Sequence, residues 1–189
     1  MMKRDGIGLT RRGLIAAFAA TAVSAAPYYA NASGFLRGGG DIRRLRMYSG
    51  RTGERLDAIY WIEGRYVPEV LAEINFFMRD WRDNRQTRID TRTIDIMSAS
   101  HRLLQVNEPY ALLSGYRSPQ TNAMLRARSN NVARESLHMK GEAADLRLRS
   151  RSVRQMSQAA AALNAGGVGS YSRSDFVHMD CGPVRSWGA

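Results

Sequence analysis

The sequence SLHMKGEAAD, residues 136–145, places His138 and Asp145 seven positions apart on either side of Gly141. A glycine at this position allows the chain to turn back on itself, so a loop histidine and a strand aspartate can face the same ion. The chain contains only three histidines, which makes each of them a candidate ligand. The spacing alone is equally compatible with a hydrogen-bonded loop histidine beside a surface aspartate.

The third candidate ligand is His178, within FVHMD at residues 176–180. The sequence AADLRLR at 143–149 alternates apolar and polar residues, which predicts a strand with Asp145 on one face and Leu146 on the other. FVHMD predicts a second strand that can pair beside it. Two imidazoles and one carboxylate with an open fourth position suit a catalytic zinc site, in which bound water becomes acidic enough to attack a carbonyl.

Further strands are predicted on both sides of this region. Residues 43–67 alternate around the turn sequence SGRTGE, as in a β-hairpin. The apolar run YALLSGYRS, residues 110–118, is typical of a buried strand that presents a side chain, here Arg117, at its tip. The segments 167–171 and 176–182 predict two short strands joined by the turn SRSD.

Helices are predicted from their apolar periodicity and from capping residues. The predicted ranges are Pro68 to about Trp81, Thr93 to about Val106, Pro119 to about Arg128 after the cap Ser118, and a last helix between the cap Ser152 and the stop Gly166. Helices and antiparallel hairpins are mixed without strand–helix–strand alternation, which predicts an α+β domain. His101 is interpreted as a solvated helix residue, and Cys181 as a buried, inert thiol.

The first 32 residues have a basic start, an apolar run from Gly13 to Ala26 and small residues before a cleavage point, as in an export signal. The pair Arg11–Arg12 favours the twin-arginine route, and an ordinary Sec signal is the alternative. The apolar run is shorter than the ~20 residues that a membrane span needs. The predicted organisation is a signal at 1–32, a flexible Gly-rich leader at 33–41 and one domain at 42–189, exported to the periplasm or cell envelope.

The predicted signal holds four of the 28 basic and one of the 17 acidic residues, which leaves the remainder with a formal net charge of +8. Such a surface suits an anionic partner. Nucleic acid is the usual partner of a basic protein, but an exported protein meets cell-wall carboxylates and lipid phosphates instead. The single cysteine, Cys181, excludes an intrachain disulfide, so packing or a metal must stabilise the domain.

SLHMKGEAAD matches the pattern S-x-H-x-x-G-x-A-x-D of the zinc peptidases that include D-Ala-D-Ala carboxypeptidases, phage L-alanoyl-D-glutamate endopeptidases and the hedgehog N-terminal domain. SGYRS upstream and DFVHMD downstream resemble the family's other two blocks, in the same order. The chain from about 41 to 189 resembles the YcbK-like branch, whose members are exported murein endopeptidases. The resemblance implies a small antiparallel sheet that carries a zinc site, with helices packed on it.

The resemblance also implies roles for individual residues. The zinc ligands are His138, Asp145 and His178. Arg117 steadies the developing oxyanion, and Asp175, three residues before the last ligand, is the general base. Asp180 is the alternative base; strand alternation places it on the face of His178, where it can hold the imidazole instead.

The resemblance therefore implies a monomeric enzyme with one zinc ion per chain that hydrolyses peptide cross-links of peptidoglycan, with the peptide stems as partner. Neither the scissile bond nor the choice between endopeptidase and carboxypeptidase follows from the sequence. The alternative is a catalytically inactive module of the same fold that binds cell wall or peptide. A nucleic-acid binder rests on charge alone and is not expected.

Overall fold

The computed structural model describes residues 42–129 and 132–188. Within these residues eight strands form one sheet in the order β3-β2-β1-β4-β5-β7-β6-β8. The strands are β1 (Ile42–Tyr48), β2 (Arg55–Ile62), β3 (Arg65–Tyr66), β4 (Tyr110–Ser114), β5 (Ala143–Arg147), β6 (Gly167–Tyr171), β7 (Phe176–Asp180) and β8 (Arg185–Gly188). The predicted signal at 1–32 and leader at 33–41 lie outside the described residues.

The sheet confirms the α+β prediction and corrects its size and type. A small antiparallel sheet was expected, whereas the described sheet has eight strands and is mixed. β1 pairs in parallel with β4, and β6 pairs in parallel with β8. Parallel partners must be joined by long crossovers, so local alternation along the sequence predicts β1 to β7 but neither β8 nor these distant pairings.

The predicted hairpin forms from β1 and β2. Leu45, Met47 and Leu56 are buried on one face because alternate side chains of a strand point to opposite faces. Gly53 closes the turn with a φ of 75°, and its backbone N–H donates to the carbonyl of Ser49 at 2.8 Å. These side chains belong to the hydrophobic core.

Four helices are described: α1 (Pro68–Phe77), α2 (Thr91–Leu103), α3 (Pro119–Arg128) and α4 (Val153–Ala162). Local signals set their starts. Pro68 lies in the first turn of α1, and the side chains of Asp90, Ser118 and Ser152 accept hydrogen bonds from the first turns of α2, α3 and α4. Replacing such a cap by alanine costs about 1 kcal/mol.

The core lies where α2 and α4 pack on each other and on β7. Leu146 of β5 and Val177 and Met179 of β7 point into this core and are fully buried. Each such side chain contributes about 1.5–3 kcal/mol by its burial. The opposite face of β5 and β7 is thus free to carry polar side chains.

Three helix boundaries are corrected. α1 ends at Phe77, about four residues before the expected end near Trp81. α2 is Thr91–Leu103, two to three residues earlier than expected at both ends. α4 ends at Ala162 and not at Gly166, because Asn164 already has a φ of 48°. A Cβ at Gly166 would lie 1.8 Å from the carbonyl oxygen of Asp180, so this glycine serves a close approach to β7.

His101 is half-buried and not solvated. Its Nε2 lies 2.7 Å from the carbonyl oxygen of Glu108, and its ring packs edge-on against Tyr110. Cys181 is buried, as predicted. Among the described helices, none combines the length and the apolar composition needed to cross a bilayer.

Candidate metal centre

His138 lies on a single 3-10 turn, Leu137–Lys140, that ends at Gly141. Gly141 has a φ of 72°, and a Cβ there would lie 2.4 Å from the carbonyl oxygen of Arg88. The carbonyl of Gly141 also accepts from the backbone N–H of Asp90 at 2.9 Å. Only glycine adopts this positive φ without strain and also lacks the Cβ that would clash with Arg88. The turn leads directly into β5.

Asp145 and His178 face each other across the antiparallel pair β5–β7. Their neighbours Leu146 and Val177 are also paired and point into the core. A shift of one residue in this register would exchange the two faces and destroy the apolar contacts. The hydrophobic core therefore fixes which two polar side chains meet on the open face.

The three predicted ligands come together around one point. Nδ1 of His178 lies 2.9 Å from Oδ1 of Asp145, and Nε2 of His138 lies 3.2 Å from each of those two atoms. A tetrahedral zinc ion with bonds of about 2.0–2.1 Å has ligand atoms about 3.3 Å apart. The donor set and its spacing therefore fit a divalent metal such as zinc.

In both imidazoles, the ring nitrogen that faces away from the other ligands has a hydrogen-bond partner. Nδ1 of His138 donates to the carbonyl oxygen of Gly115 at 2.7 Å, and Nε2 of His178 lies 3.0 Å from Oδ2 of Asp180. Such partners fix the tautomer and turn the other nitrogen toward a metal. The prediction that Asp180 lies on the face of His178 agrees with this geometry.

Asp180 is itself neutralised from several sides. Arg185 places its two terminal nitrogens 3.1 and 2.7 Å from Oδ1 and Oδ2 of Asp180. The backbone N–H groups of Gly167 and Gly182 also donate to Oδ1. The carboxylate is fully buried, so it acts through His178 and is closed to solvent.

The electrostatics of the cluster favour positive charge between the ligands. Burial raises the pKa of Asp145, but the charges and hydrogen bonds of His138 and His178 outweigh burial and hold this pKa well below its usual range. Burial lowers the pKa of His178, whereas Asp145 and Asp180 raise it to about 9. Burial lowers the pKa of His138, which keeps this ring neutral and able to donate an electron pair.

Arg117 lies beside this cluster, just beyond β4. Its Nη2 is 3.5 Å from Oδ2 of Asp145, the oxygen that does not face the histidines. Its hydrogen bonds to Ser114 and Asn122 are long, at 3.4 Å, and its buried Nε has no partner among the described residues. The guanidinium is therefore close to the metal ligands and retains donors for another group.

Asp175 does not join the cluster. Its φ of 53° confirms an irregular backbone before β7, but its Oδ2 lies 3.0 Å from Nε of Arg147 and its side chain is 62% exposed. The structure thus brings together His138, Asp145, His178, Asp180 and Arg117, and leaves Asp175 bound to Arg147 outside. The assignment of the base remains a prediction.

A cleft of about 460 Å³ opens over the ligands. Tyr171 and Trp187 line it together with Phe176, Glu135 and Arg185. Trp187 donates from Nε1 to the hydroxyl of Tyr171 at 2.9 Å, and Phe176 stacks on Tyr171. These contacts form an aromatic wall next to His178.

Sequence reasoning missed Arg185 and Glu135. Arg185 belongs to β8, and the parallel pairing of β8 with β6 brings Arg185 next to Asp180. No local sequence pattern predicts that pairing. Glu135 immediately precedes the motif and carries no periodic signal.

Comparisons with known proteins agree on one family. A family model described as peptidoglycan L,D-endopeptidase MepK matches residues 37–187. The peptidoglycan L,D-endopeptidase MepK of Escherichia coli is 42% identical over 145 residues, which cover 77% of this chain and 80% of that protein. The probable peptidoglycan L,D-endopeptidase MepK of Haemophilus influenzae is 36% identical over 137 residues, or 72% and 74% of the two chains.

Proposed function

We propose that this chain, which belongs to the peptidoglycan L,D-endopeptidase MepK family, is a zinc-dependent murein endopeptidase. Membership of a peptidase family supports hydrolysis of peptide bonds, and the relatives' names support the cross-links of peptidoglycan as substrate. We propose that the scissile peptide bond joins a stereocentre of L configuration to one of D configuration, as the names of the relatives state.

The observation that carries the proposal is the triangle of His138, Asp145 and His178, with sides of 2.9–3.2 Å. These residues would hold the ion. A zinc ion held by them supplies Lewis-acid activation of water and polarises the scissile carbonyl. The cleft above them leaves room for both water and peptide.

Arg117 is proposed to stabilise the oxyanion. Its guanidinium is almost fully buried, and its pKa is lowered by burial, so its charge is weakly solvated before substrate arrives. A donor fixed at the position where charge develops contributes about 2.7–4 kcal/mol to the transition state. Arg117 lines the cleft over the ligands and its Nη2 lies 3.5 Å from Asp145, so its guanidinium is beside the place where the oxyanion would form.

Asp175 is proposed as the general base. A carboxylate oxygen of Asp175 would take a proton from the attacking water and return it to the leaving amine. In the structure that carboxylate pairs with Arg147, so catalysis requires it to exchange Arg147 for water and substrate. Arg147 lies two residues after Asp145 on β5, so the exchange takes place beside the ligands.

Three further features complete the proposal. The predicted signal at 1–32 places the protein in the periplasm or envelope, by the twin-arginine route. The aromatic wall of Tyr171 and Trp187 orients the peptide stem. A monomer is proposed, and the fact that one chain supplies the three ligands and Arg117 is compatible with it.

A second candidate function is a peptidoglycan-binding module that has the same metal site without turnover. One observation favours it: the carboxylate of Asp175 is mostly exposed and lies outside the cleft. A chain without a working base can still bind zinc and a peptide stem.

Digestion of purified peptidoglycan, followed by mass analysis of the fragments, distinguishes the two. The endopeptidase predicts fragments whose cross-links are opened between an L- and a D-centre. A chelator should stop their release, and added zinc should restore it. Sedimentation of the protein with intact sacculi, without any new fragment, would instead establish the binding module.

A further inference from the structure

The turn after α1 carries a tryptophan in contact with two arginines. Trp81 is 36% exposed, and the guanidinium carbons of Arg82 and Arg51 lie 4.2 and 5.2 Å from the centroid of its ring. A guanidinium over an indole ring is held by the ring's quadrupole. Trp81 therefore keeps two like charges near each other on the surface, where they would otherwise repel.

The positive charge at this place is only partly balanced by carboxylates. Among the described residues, neither Arg51 nor Arg128 lies within ion-pair distance of a carboxylate. Arg82 has one such neighbour, Asp80, at 3.8 Å. Burial lowers the pKa of Arg82, and Arg117, Arg51 and Arg128 lower it further, against the opposing effect of Asp80.

Asp80 is already engaged elsewhere. Its Oδ2 accepts from the backbone N–H of Ser118 at 2.9 Å, and its Oδ1 accepts from that of Arg82 at 3.2 Å. This buried carboxylate offsets part of the charge of Arg82 at 3.8 Å, but among the described residues Arg51 has no carboxylate within ion-pair distance. We name the residues Arg51, Trp81 and Arg82 the arginine–tryptophan patch.

The patch is continuous with the proposed catalytic machinery. Ser118, which Asp80 holds, follows Arg117 directly in the chain. The backbone N–H of Tyr116 donates to the carbonyl of Met78 at 2.7 Å, and Arg85 donates to Gln120 at 2.7 Å. The segment that carries Arg117 therefore has the metal ligands on one side and the turn of Trp81 on the other.

We propose that the arginine–tryptophan patch is a substrate subsite outside the metal cleft, which binds carboxylates on the peptide stems of peptidoglycan. The inference rests on the proposed function and names a second place where the same substrate is held. Paired guanidiniums fixed on a ring present forked donors that match a carboxylate. A cross-linked wall carries such groups on neighbouring stems, so one can lie on the patch while a cross-link lies in the cleft.

The test compares Arg51→Gln/Arg82→Gln with the matched control Arg65→Gln/Arg154→Gln. The control removes the same charge from exposed positions outside the patch. Binding of each protein to intact sacculi is measured by sedimentation, and turnover is measured on sacculi and on the smallest soluble cross-linked peptide. The patch variant should bind sacculi about three- to tenfold more weakly than the control. This is the change in affinity expected when two exposed charge contacts are lost.

Turnover separates this proposal from the proposed function. KM on sacculi should rise for the patch variant, while kcat and hydrolysis of the small peptide should match the control. If no protein cleaves anything, the endopeptidase proposal fails, and the sedimentation difference still decides the subsite. Equal binding of patch variant and control, with wild-type turnover intact, would overturn the subsite alone.

Two further arms identify the ligand. Amidation of the wall carboxylates should abolish the binding difference between patch variant and control. Vesicles of phosphatidylglycerol in phosphatidylcholine and a duplex DNA serve as other anions. A patch variant that loses vesicle or DNA binding and keeps sacculus binding would show that the patch serves a membrane or a nucleic acid, and would overturn the proposal.

Discussion

Arg147 and Asp175 are joined by a salt bridge at 3.0 Å that ties the turn before β7 to the strand carrying Asp145. The pair is largely exposed, and an exposed ion pair contributes only about 0–1 kcal/mol. Substrate can therefore displace Arg147 at little cost. The bridge holds the proposed base beside the site without placing it in the cleft.

Asp175→Asn should retain its zinc and lose about 10²–10⁴-fold in turnover, the usual scale of general base catalysis. Asp180→Asn should weaken zinc affinity by about 10–100-fold, because it removes the carboxylate that holds His178. Zinc affinity and kcat are measured for both. The roles are exchanged if Asp175→Asn sheds its metal while Asp180→Asn stays loaded and inert.

His138→Ala and His178→Ala should each purify with far less than one zinc per chain, because two remaining ligands do not retain the ion. Elemental analysis of the purified proteins measures this. His101→Ala is the matched control, since this histidine contacts Glu108 and Tyr110 and should leave the zinc content unchanged. Full zinc in both ligand variants would show that the ligand assignment is wrong.

Arg117→Ala should lose about 10²–10³-fold in kcat with zinc content and fold preserved, because the guanidinium acts on the transition state. Arg117→Lys should restore little, since a point charge does not reproduce the planar fork. Steady-state kinetics and elemental analysis are compared on the same samples. Parallel loss of metal and activity would indicate a structural arginine.

Asp80→Asn should lower the free energy of unfolding by about 1–3 kcal/mol, because a buried carboxylate that accepts from Ser118 and Arg82 is replaced. Asp57→Asn, which breaks an exposed pair with Arg44, should lower it by no more than about 1 kcal/mol. Urea unfolding gives both values. Equal losses would mean that Asp80 does not anchor the start of α3.

His101 should make the protein less stable in acid. Burial lowers its pKa from 6.5, so the unfolded chain binds the proton more readily than the folded chain. Its contribution is fully present above pH 6.5 and is lost as the pH falls below that value. Urea unfolding of wild type and His101→Gln from pH 8 to pH 5 should show the steeper loss in the wild type; parallel curves would exclude this role.

Sequence reasoning located the parts of the site that depend on local geometry. The turn at Gly141 and the strands of Asp145 and His178 follow from a glycine and from alternating apolar residues, which are local signals. The start of α3 at Pro119 and the cap at Ser152 follow in the same way.

The features that sequence reasoning missed depend on the pairing of strands far apart in the chain or on the direction of a side chain. The parallel partners β1–β4 and β6–β8 enlarge the sheet, and the second of them brings Arg185 to Asp180. The carboxylate of Asp175 can turn toward Arg147 or toward the metal ligands. No periodicity in the sequence encodes that choice. The signals that fix strands therefore do not fix the base.

The backing of the two imidazoles by Gly115 and Asp180 has a consequence for how the enzyme acquires its metal. Because carbonyl, carboxylate and strand register already orient the donors, little conformational entropy remains to be lost when an ion enters. The metal ion can therefore bind after the protein has folded, in whichever compartment the ion is available. We expect the metal-free protein to stay folded, so that loss of the ion would stop hydrolysis reversibly and leave an intact protein that a returning ion reactivates.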